Sequence, residues 1–288
     1  MVRHRFYFLF LILLLSTTAS ALELIFKSSF EFEDLIPVND APASALDVSA
    51  GGTFVVDLAA ANNDQDYDGT SCGSTGGRDV FFEVTLATAE VVYFDTFGSN
   101  FDTTLRVFAG SCAALGAWQA CYDDQCSVFQ SQGALLLPAG TFCLVADQYS
   151  SAQTNGSLVL NVTRGGRTGS VLTTSPISGN SCSGANVTTP SCSSSSAEDQ
   201  AYYFTMCPSQ VKFLSANTCS GTSFDSAIYL RKSGGADIAC NDDSGFCGSL
   251  NLQSSFSPAV VAGPGLFWLT VDGFESQCGA FSLSYTLN

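Results

Sequence analysis

Histidine is almost missing from this 288-residue chain, and its one copy, His4, falls inside an N-terminal stretch patterned as a secretory signal. That stretch has basic Arg3 and Arg5, an apolar run from Phe6 to Leu15, and a small-residue cleavage site at Ala19-Ser20-Ala21. Cleavage after Ala21 is expected to leave no histidine at all. Nucleophiles activated by imidazole, His-ligated zinc and imidazole acid/base chemistry are then excluded. Positive charge is scarce as well: ten Lys and Arg stand against 26 Asp and Glu, and loss of Arg3 and Arg5 leaves eight basic residues and a net charge of −18. Nucleic acid and anionic membrane are therefore not expected partners. Beyond the signal no apolar run approaches the roughly 18 residues a membrane span needs, and no cysteine follows the cleavage site to take a lipid. The chain also lacks any CxxC pair, which argues against zinc held by cysteine.

What is present is core-forming material. Hydrophobic residues make up 46% of the chain and charged residues only 12%, unlike an acidic disordered tail. All 12 cysteines follow the signal, which fits an oxidising compartment and a disulfide framework. Cys112 with Cys121 is the pair expected first, because a short excursion rich in small residues separates them.

The 267 residues after Ala21 suggest one or two domains, and an internal comparison indicates two. After Cys72 the chain reads RDVFFEVTL, GSNFDTTLRVF, QACYDDQC, PAGTFCLVADQ and SLVLNV; after Cys192 it reads EDQAYYFTM, GTSFDSAIYL, IACNDDSGFC, GPGLFWLTVDG and FSLSYTL. Five blocks recur in order, as a domain-sized tandem repeat. Arg164-Gly165-Gly166-Arg167-Thr168-Gly169-Ser170 reads as a Gly-rich linker between them. Within the blocks Val80, Phe82, Val84 and Leu86 alternate with Phe81, Glu83 and Thr85, and Phe281, Leu283, Tyr285 and Leu287 alternate with polar residues. That is strand periodicity, and no window sustains a helical period. The expected fold class is all-β: two tandem antiparallel β-sandwiches of about seven or eight short strands each. The aromatics Phe81, Phe82, Tyr202, Tyr203, Phe204 and Trp268 sit inside strand blocks and are read as core. Repeat 1 holds five cysteines and repeat 2 seven, so full pairing needs a bridge between repeats, for which Cys72 is the candidate.

The succession NDAPASA (Asn39 to Ala45), Cys72, RDVFFEV, GSNFDTTLRVFAGSC, ACYDD and PAGTFCLVAD resembles the bacterial pre-peptidase C-terminal domain. The second repeat resembles a divergent copy. That resemblance implies a non-catalytic, jelly-roll-like module of secreted hydrolases or surface proteins, in some cases binding substrate or calcium. Within these 288 residues no peptidase domain is expected beside the modules. The expected organisation is a signal peptide at 1–21, an N-terminal segment at 22–36, a first sandwich at 37–164, the linker at 165–174 and a second sandwich at 175–288. The segment 22–36 reads equally as an extra strand or a disordered leader.

The positions that could carry chemistry are acidic and recur between repeats: Asp79 with Asp199, Asp102 with Asp225, Asp123-Asp124 with Asp242-Asp243, and Asp147 with Asp272. Calcium needs six to eight hard oxygen ligands and tolerates irregular geometry. One Ca²⁺ per repeat is therefore expected, from Asp102, Asp123 and Asp124 and from Asp225, Asp242 and Asp243. The same side chains could instead cap tight turns, and the sequence leaves both readings open. A separate run, Asp64-Gln65-Asp66-Tyr67-Asp68-Gly69, matches the first half of a helix-flanked calcium loop, but its twelfth position is Thr75 instead of Glu, so an acidic loop is the favoured account. No nucleophile-and-base constellation is visible, so no enzymatic activity is expected. The sequons at Asn155, Asn161 and Asn186 are read as accidental, because the resemblance is to bacterial modules.

The favoured functional reading is a secreted, disulfide-stapled, calcium-stiffened pair of modules binding an extracellular polysaccharide or protein. A passive spacer or surface-assembly unit is the alternative, and a carboxylate-based hydrolase a remote one.

Overall fold

Alternating apolar residues become strands because only a sheet puts every second side chain on one face. In the computed structural model, which describes residues 36–65, 72, 76–152, 156–247 and 252–288, no α-helix occurs among the described residues. The signal, residues 22–35, and Asp66, Asp68 and Asn155 lie outside them.

Residues 34–288 form one unit. Its first half contains β1 (Leu46–Asp47), β2 (Gly52–Asp57), β3 (Asp79–Leu86), β4 (Glu90–Asp95), β5 (Thr103–Ala109), β6 (Trp118–Asp123), β7 (Gln132–Leu137), β8 (Gly140–Gln148) and β9 (Ser157–Arg164). The second contains β10 (Ser170–Val171), β11 (Ile177–Asn180), β12 (Gln200–Met206), β13 (Val211–Asn217), β14 (Ser226–Lys232), β15 (Asp237–Asp242), β16 (Ser255–Ala262), β17 (Gly265–Gly273) and β18 (Ala280–Leu287). Each half is a five-stranded sheet facing a four-stranded one. The orders β1-β3-β8-β5-β6 and β2-β9-β4-β7 are repeated as β10-β12-β17-β14-β15 and β11-β18-β13-β16. The pairing is antiparallel except at two short edge strands, β1 on β3 and β10 on β12, which run parallel.

Between the first pair of sheets lie Val80, Phe82, Val84, Leu105, Val107, Leu144, Val92, Phe94, Leu158 and Leu160, all buried. Phe281 and Leu283 do the same work in the second half with Ile228, Leu230, Phe267 and Leu269. Phe81 points the other way, under a flap that carries Cys112. Each fully buried side chain of this size contributes about 1.5–3 kcal/mol.

The disulfide expectations need correction. Cys112 bonds Cys143, and Cys121 bonds Cys72. After β5 the chain crosses β8, Gly110 N donating to Thr141 O at 2.8 Å, and reaches β3, Cys112 N donating to Glu83 Oε1 at 2.7 Å. That path carries Cys112 away from β6, where Cys121 sits, despite their closeness in sequence. A bridge between repeats does exist, but it joins Cys126 to Cys207, and Cys72 is used locally. Repeat 2 closes Cys182–Cys278, Cys192–Cys240 and Cys219–Cys247.

The Gly-rich linker is not a free tether. Val91 N donates to Arg167 O and Gly165 N to Val91 O, so the segment runs along the edge of β4. Gly165 and Gly169 lack side chains where Trp268 presses in: a Cβ would stand 2.8 Å and 2.7 Å from its ring. Arg167 is buried, stacks over Trp268 at 5.5 Å and pairs with buried Asp199. Beside this strap, Val91 and Tyr93 of the first half pack on Ala201, Tyr203, Leu266 and Trp268 of the second.

Candidate functional site

The six aspartates singled out in the sequence gather into two groups, Asp102 with Asp123 and Asp124, and Asp225 with Asp242 and Asp243. Within each, one carboxylate oxygen per residue lies within 4.8 Å of the others. Asp102 immediately precedes β5 and Asp123 ends β6, where Thr104 pairs with Asp123. In the second half Asp225 precedes β14, and Ala227 pairs with Asp242. Adjacent side chains on a strand diverge, so two successive aspartates could not share a point if both were extended. Asp124 and Asp243 escape this by turning left-handed, at φ 51° and 57°, a conformation Asp tolerates better than most residues.

Each lead aspartate is held by its backbone. Tyr149 N donates to Asp102 O and Thr103 N to Phe129 O, both at 2.9 Å. Phe274 N on Asp225 O and Ser226 N on Leu252 O repeat the pattern, again at 2.9 Å. Behind them lies a feature the sequence reading missed, a buried knot of hydroxyls. Thr96 Oγ1 and Thr103 Oγ1 are 2.6 Å apart, and Ser131 N donates to Thr96 Oγ1 at 2.8 Å. Thr218, Ser226 and Ser254 form the counterpart, with Thr218 Oγ1 and Ser226 Oγ 2.8 Å apart. The Thr or Ser after each lead Asp was visible as part of an FD(T/S) block, but its cross-sheet partner could be found only from the fold. Disulfides bracket both loops: Cys72–Cys121 and Cys126–Cys207 around Asp123-Asp124, and Cys192–Cys240 and Cys219–Cys247 around Asp242-Asp243.

The electrostatics follow from this crowding. Burial, then Asp124 and Asp123, push Asp102 up to about 6; burial, then Asp243 and Asp242, push Asp225 up to about 6. Burial raises Asp242 too. Asp102 and Asp225 each bury an Oδ1 that has no hydrogen-bond partner, whereas the Asp242 carboxylate is met by the Ser193 hydroxyl. Aspartates that cap turns elsewhere behave differently: Asp47 accepts from Ser49 N, Asp57 from Ala59 N and Asp95 from Phe97 N, at 2.9–3.0 Å.

The other repeated aspartates form buried charge centres instead of an open site. Arg106 Nη2 donates to Asp147 Oδ2 at 2.7 Å, both side chains being buried, and Asp79 accepts from Asp64 N and Gln65 N. In the second half Tyr229 occupies the place of Arg106, and the cation arrives from the strap as Arg167, paired with Asp199 near Asp272. Asp64 contributes its backbone to Asp79 and belongs to neither acidic group among the described residues. The aromatics Phe81, Phe82, Tyr202, Tyr203 and Trp268 are buried, and no helix among the described residues is long and apolar enough to cross a membrane.

No protein-family model matches this sequence, and no curated protein does. Among solved structures, the pre-peptidase C-terminal domain of a collagenase from Bacillus anthracis is similar at 12% identity and a TM-score of 0.29, over 41% of this chain and 94% of that one. The CUB1-EGF-CUB2 region of human MASP-1/3 aligns over 82% of this chain and 99% of that one, at 9% identity and a TM-score of 0.21. The ANXUR2 extracellular domain from Arabidopsis thaliana aligns over 82% and 89%, at 9% identity and a TM-score of 0.23.

Proposed function

We propose that the chain is an exported, non-catalytic binding protein whose two disulfide-stapled β-sandwiches each hold one Ca²⁺, and that it binds an extracellular polysaccharide or protein. The observation that carries this reading is the repeated acidic triad, in which the lead residues Asp102 and Asp225 each bury a carboxylate oxygen with no partner. Turn caps use their oxygens on nearby N–H groups, as Asp47, Asp57 and Asp95 do. The triads instead concentrate like charge, which a divalent cation relieves. Three carboxylates supply part of the six to eight oxygens Ca²⁺ takes, with carbonyls and water completing the shell.

Several features favour binding over hydrolysis. The clustered carboxyls lie within 4.8 Å of one another. Glycosidase carboxyls stand roughly 5–9.5 Å apart, to fit a sugar or a water between them. Six disulfides fit export to an oxidising compartment. Each acidic loop also presents an aromatic ring to solvent, Phe129 (66% exposed) in the first and Phe246 (95%) in the second.

Isothermal titration of the oxidised, chelator-treated chain with Ca²⁺ tests the reading. The expected result is about two sites per chain, with affinities on the order of 10⁻⁴–10⁻³ M as in extracellular modules. Asp102→Asn and Asp225→Asn should each remove one site. Absence of heat at millimolar Ca²⁺ would overturn the calcium assignment and leave the spacer reading.

A further inference from the structure

A cavity of ≈400 Å³ opens where the two sandwiches meet, beside the Cys126–Cys207 bridge. It exists only because both halves are present: Tyr122 and Gln125 come from β6 and its following loop, Gln132 from β7, and Tyr203 and Thr205 from β12. Gly133 shapes it from below, since a Cβ there would overlap the Tyr122 ring. No charged side chain lines it.

Its polar groups are only half used. Gln132 is 5% exposed and spends its amide N–H groups on Tyr93 OH and Met206 O, both at 2.9 Å. Its Oε1 lies 3.2 Å from Cys126 Sγ, but a disulfide sulfur has no proton to give, so this buried carbonyl lacks a donor. Gln125 repeats the situation: Nε2 donates to Asp123 O at 2.8 Å while Oε1 is buried with no partner. Tyr122 and Tyr203 line the same cavity, one from each half, and bring two phenols to it. A buried acceptor without a donor is unfavourable, and a ligand rich in hydroxyl donors would satisfy it. The neighbouring Asp123 and Asp124 repel anions, a cation finds no carboxylate in the lining, and a purely apolar ligand would leave both carbonyls unsatisfied.

We propose that this junction cavity is a binding subsite for one neutral sugar unit of an extracellular polysaccharide, its hydroxyls donating to Gln125 Oε1 and Gln132 Oε1 and exchanging hydrogen bonds with Tyr122 and Tyr203. Its volume falls in the usual range for small-ligand sites, roughly 300–1,000 Å³. The assignment rests on the reading of the chain as an extracellular binding protein and names its ligand class.

The test is a calorimetric and saturation-transfer NMR titration of the oxidised full chain with cello-, malto-, laminari- and chito-tetraose, in calcium and in chelator. At least one of these saturates the protein; Tyr203→Phe, which removes only a hydroxyl, weakens it about 3- to 10-fold; and Thr205→Trp, which fills the cavity, abolishes it. Retained calcium stoichiometry and circular dichroism in both variants show that they fold. If none of the four sugars binds, or Thr205→Trp binds as well as the parent, the cavity holds water alone and the proposal falls. Two calcium ions without sugar would remove only this subsite, whereas sugar without calcium would remove only the metal assignment.

Discussion

Asp272 shows what a single buried group does to this molecule. It is fully buried, with Oδ1 accepting from Ser195 Oγ at 2.6 Å and from Gly273 N at 2.7 Å, while Oδ2 has no partner. Burial pushes its pKa up to about 7 from an ordinary 3.8. The folded protein therefore holds this proton across a range in which the unfolded chain releases it. Stability from this group is present below about pH 4 and lost as pH rises through about 7. The melting temperature of chelator-treated protein should fall between about pH 4.5 and 7.5, and Asp272→Asn should flatten that slope in part. Asp79, raised by burial to about 6, keeps some of it. An unchanged slope in the variant would place the titration elsewhere. Arg167 is the converse case, a cation whose removal strands the buried Asp199 carboxylate. Arg167→Met should cost about 3–5 kcal/mol in urea unfolding, whereas an exposed ion pair would cost less than about 1 kcal/mol.

At the scale of strands and loops, close approach of backbone to ring is the constraint that can be tested. Gly133 of β7 lies under the Tyr122 ring. Gly133→Ala should destabilise by about 1–3 kcal/mol through overpacking and reduce near-ultraviolet tyrosine ellipticity, while Gly166→Ala, strained at φ +67° but with nothing near its added methyl, should destabilise through the backbone alone and leave that signal unchanged. The strands themselves were legible, because Val80, Phe82, Val84 and Leu86 alternate cleanly and their apolar set faces one core. The acidic triads were legible for another reason: the same Asp positions recur in both repeats. The left-handed turn at Asp124 and Asp243 was not, since no glycine marks it. Nor was the pairing of Cys112 with Cys143, which depends on β8 lying between β3 and β5, a fact of sheet order and not of spacing.

For the molecule as a whole, the junction decides whether two modules act as one. The Gly-rich sequence from 164 to 170 carries the composition of a flexible tether. Its glycines are there instead because Trp268 leaves no room for side chains at 165 and 169. Composition cannot distinguish those two uses of glycine, which is why the sequence pointed to a linker. The Cys126–Cys207 bridge closes 81 residues, worth at most about 4–5 kcal/mol by loop entropy alone. Replacing both cysteines by serine should lower the denaturation midpoint while leaving the small-angle scattering curve unchanged, because Val91, Tyr93, Tyr203, Leu266 and Trp268 still pack together. A larger radius of gyration in that variant would mean the apolar contact cannot hold the halves without the disulfide.

The central claim is that the recurring aspartates are metal ligands and not turn caps, and diffraction at a long wavelength from crystals grown with calcium addresses it most directly. The account predicts two anomalous peaks per chain, one within about 2.3–2.6 Å of oxygens from Asp102, Asp123 and Asp124 and the other similarly placed against Asp225, Asp242 and Asp243. Water-level density at both positions, with the six carboxylates turned onto backbone N–H groups, would contradict it.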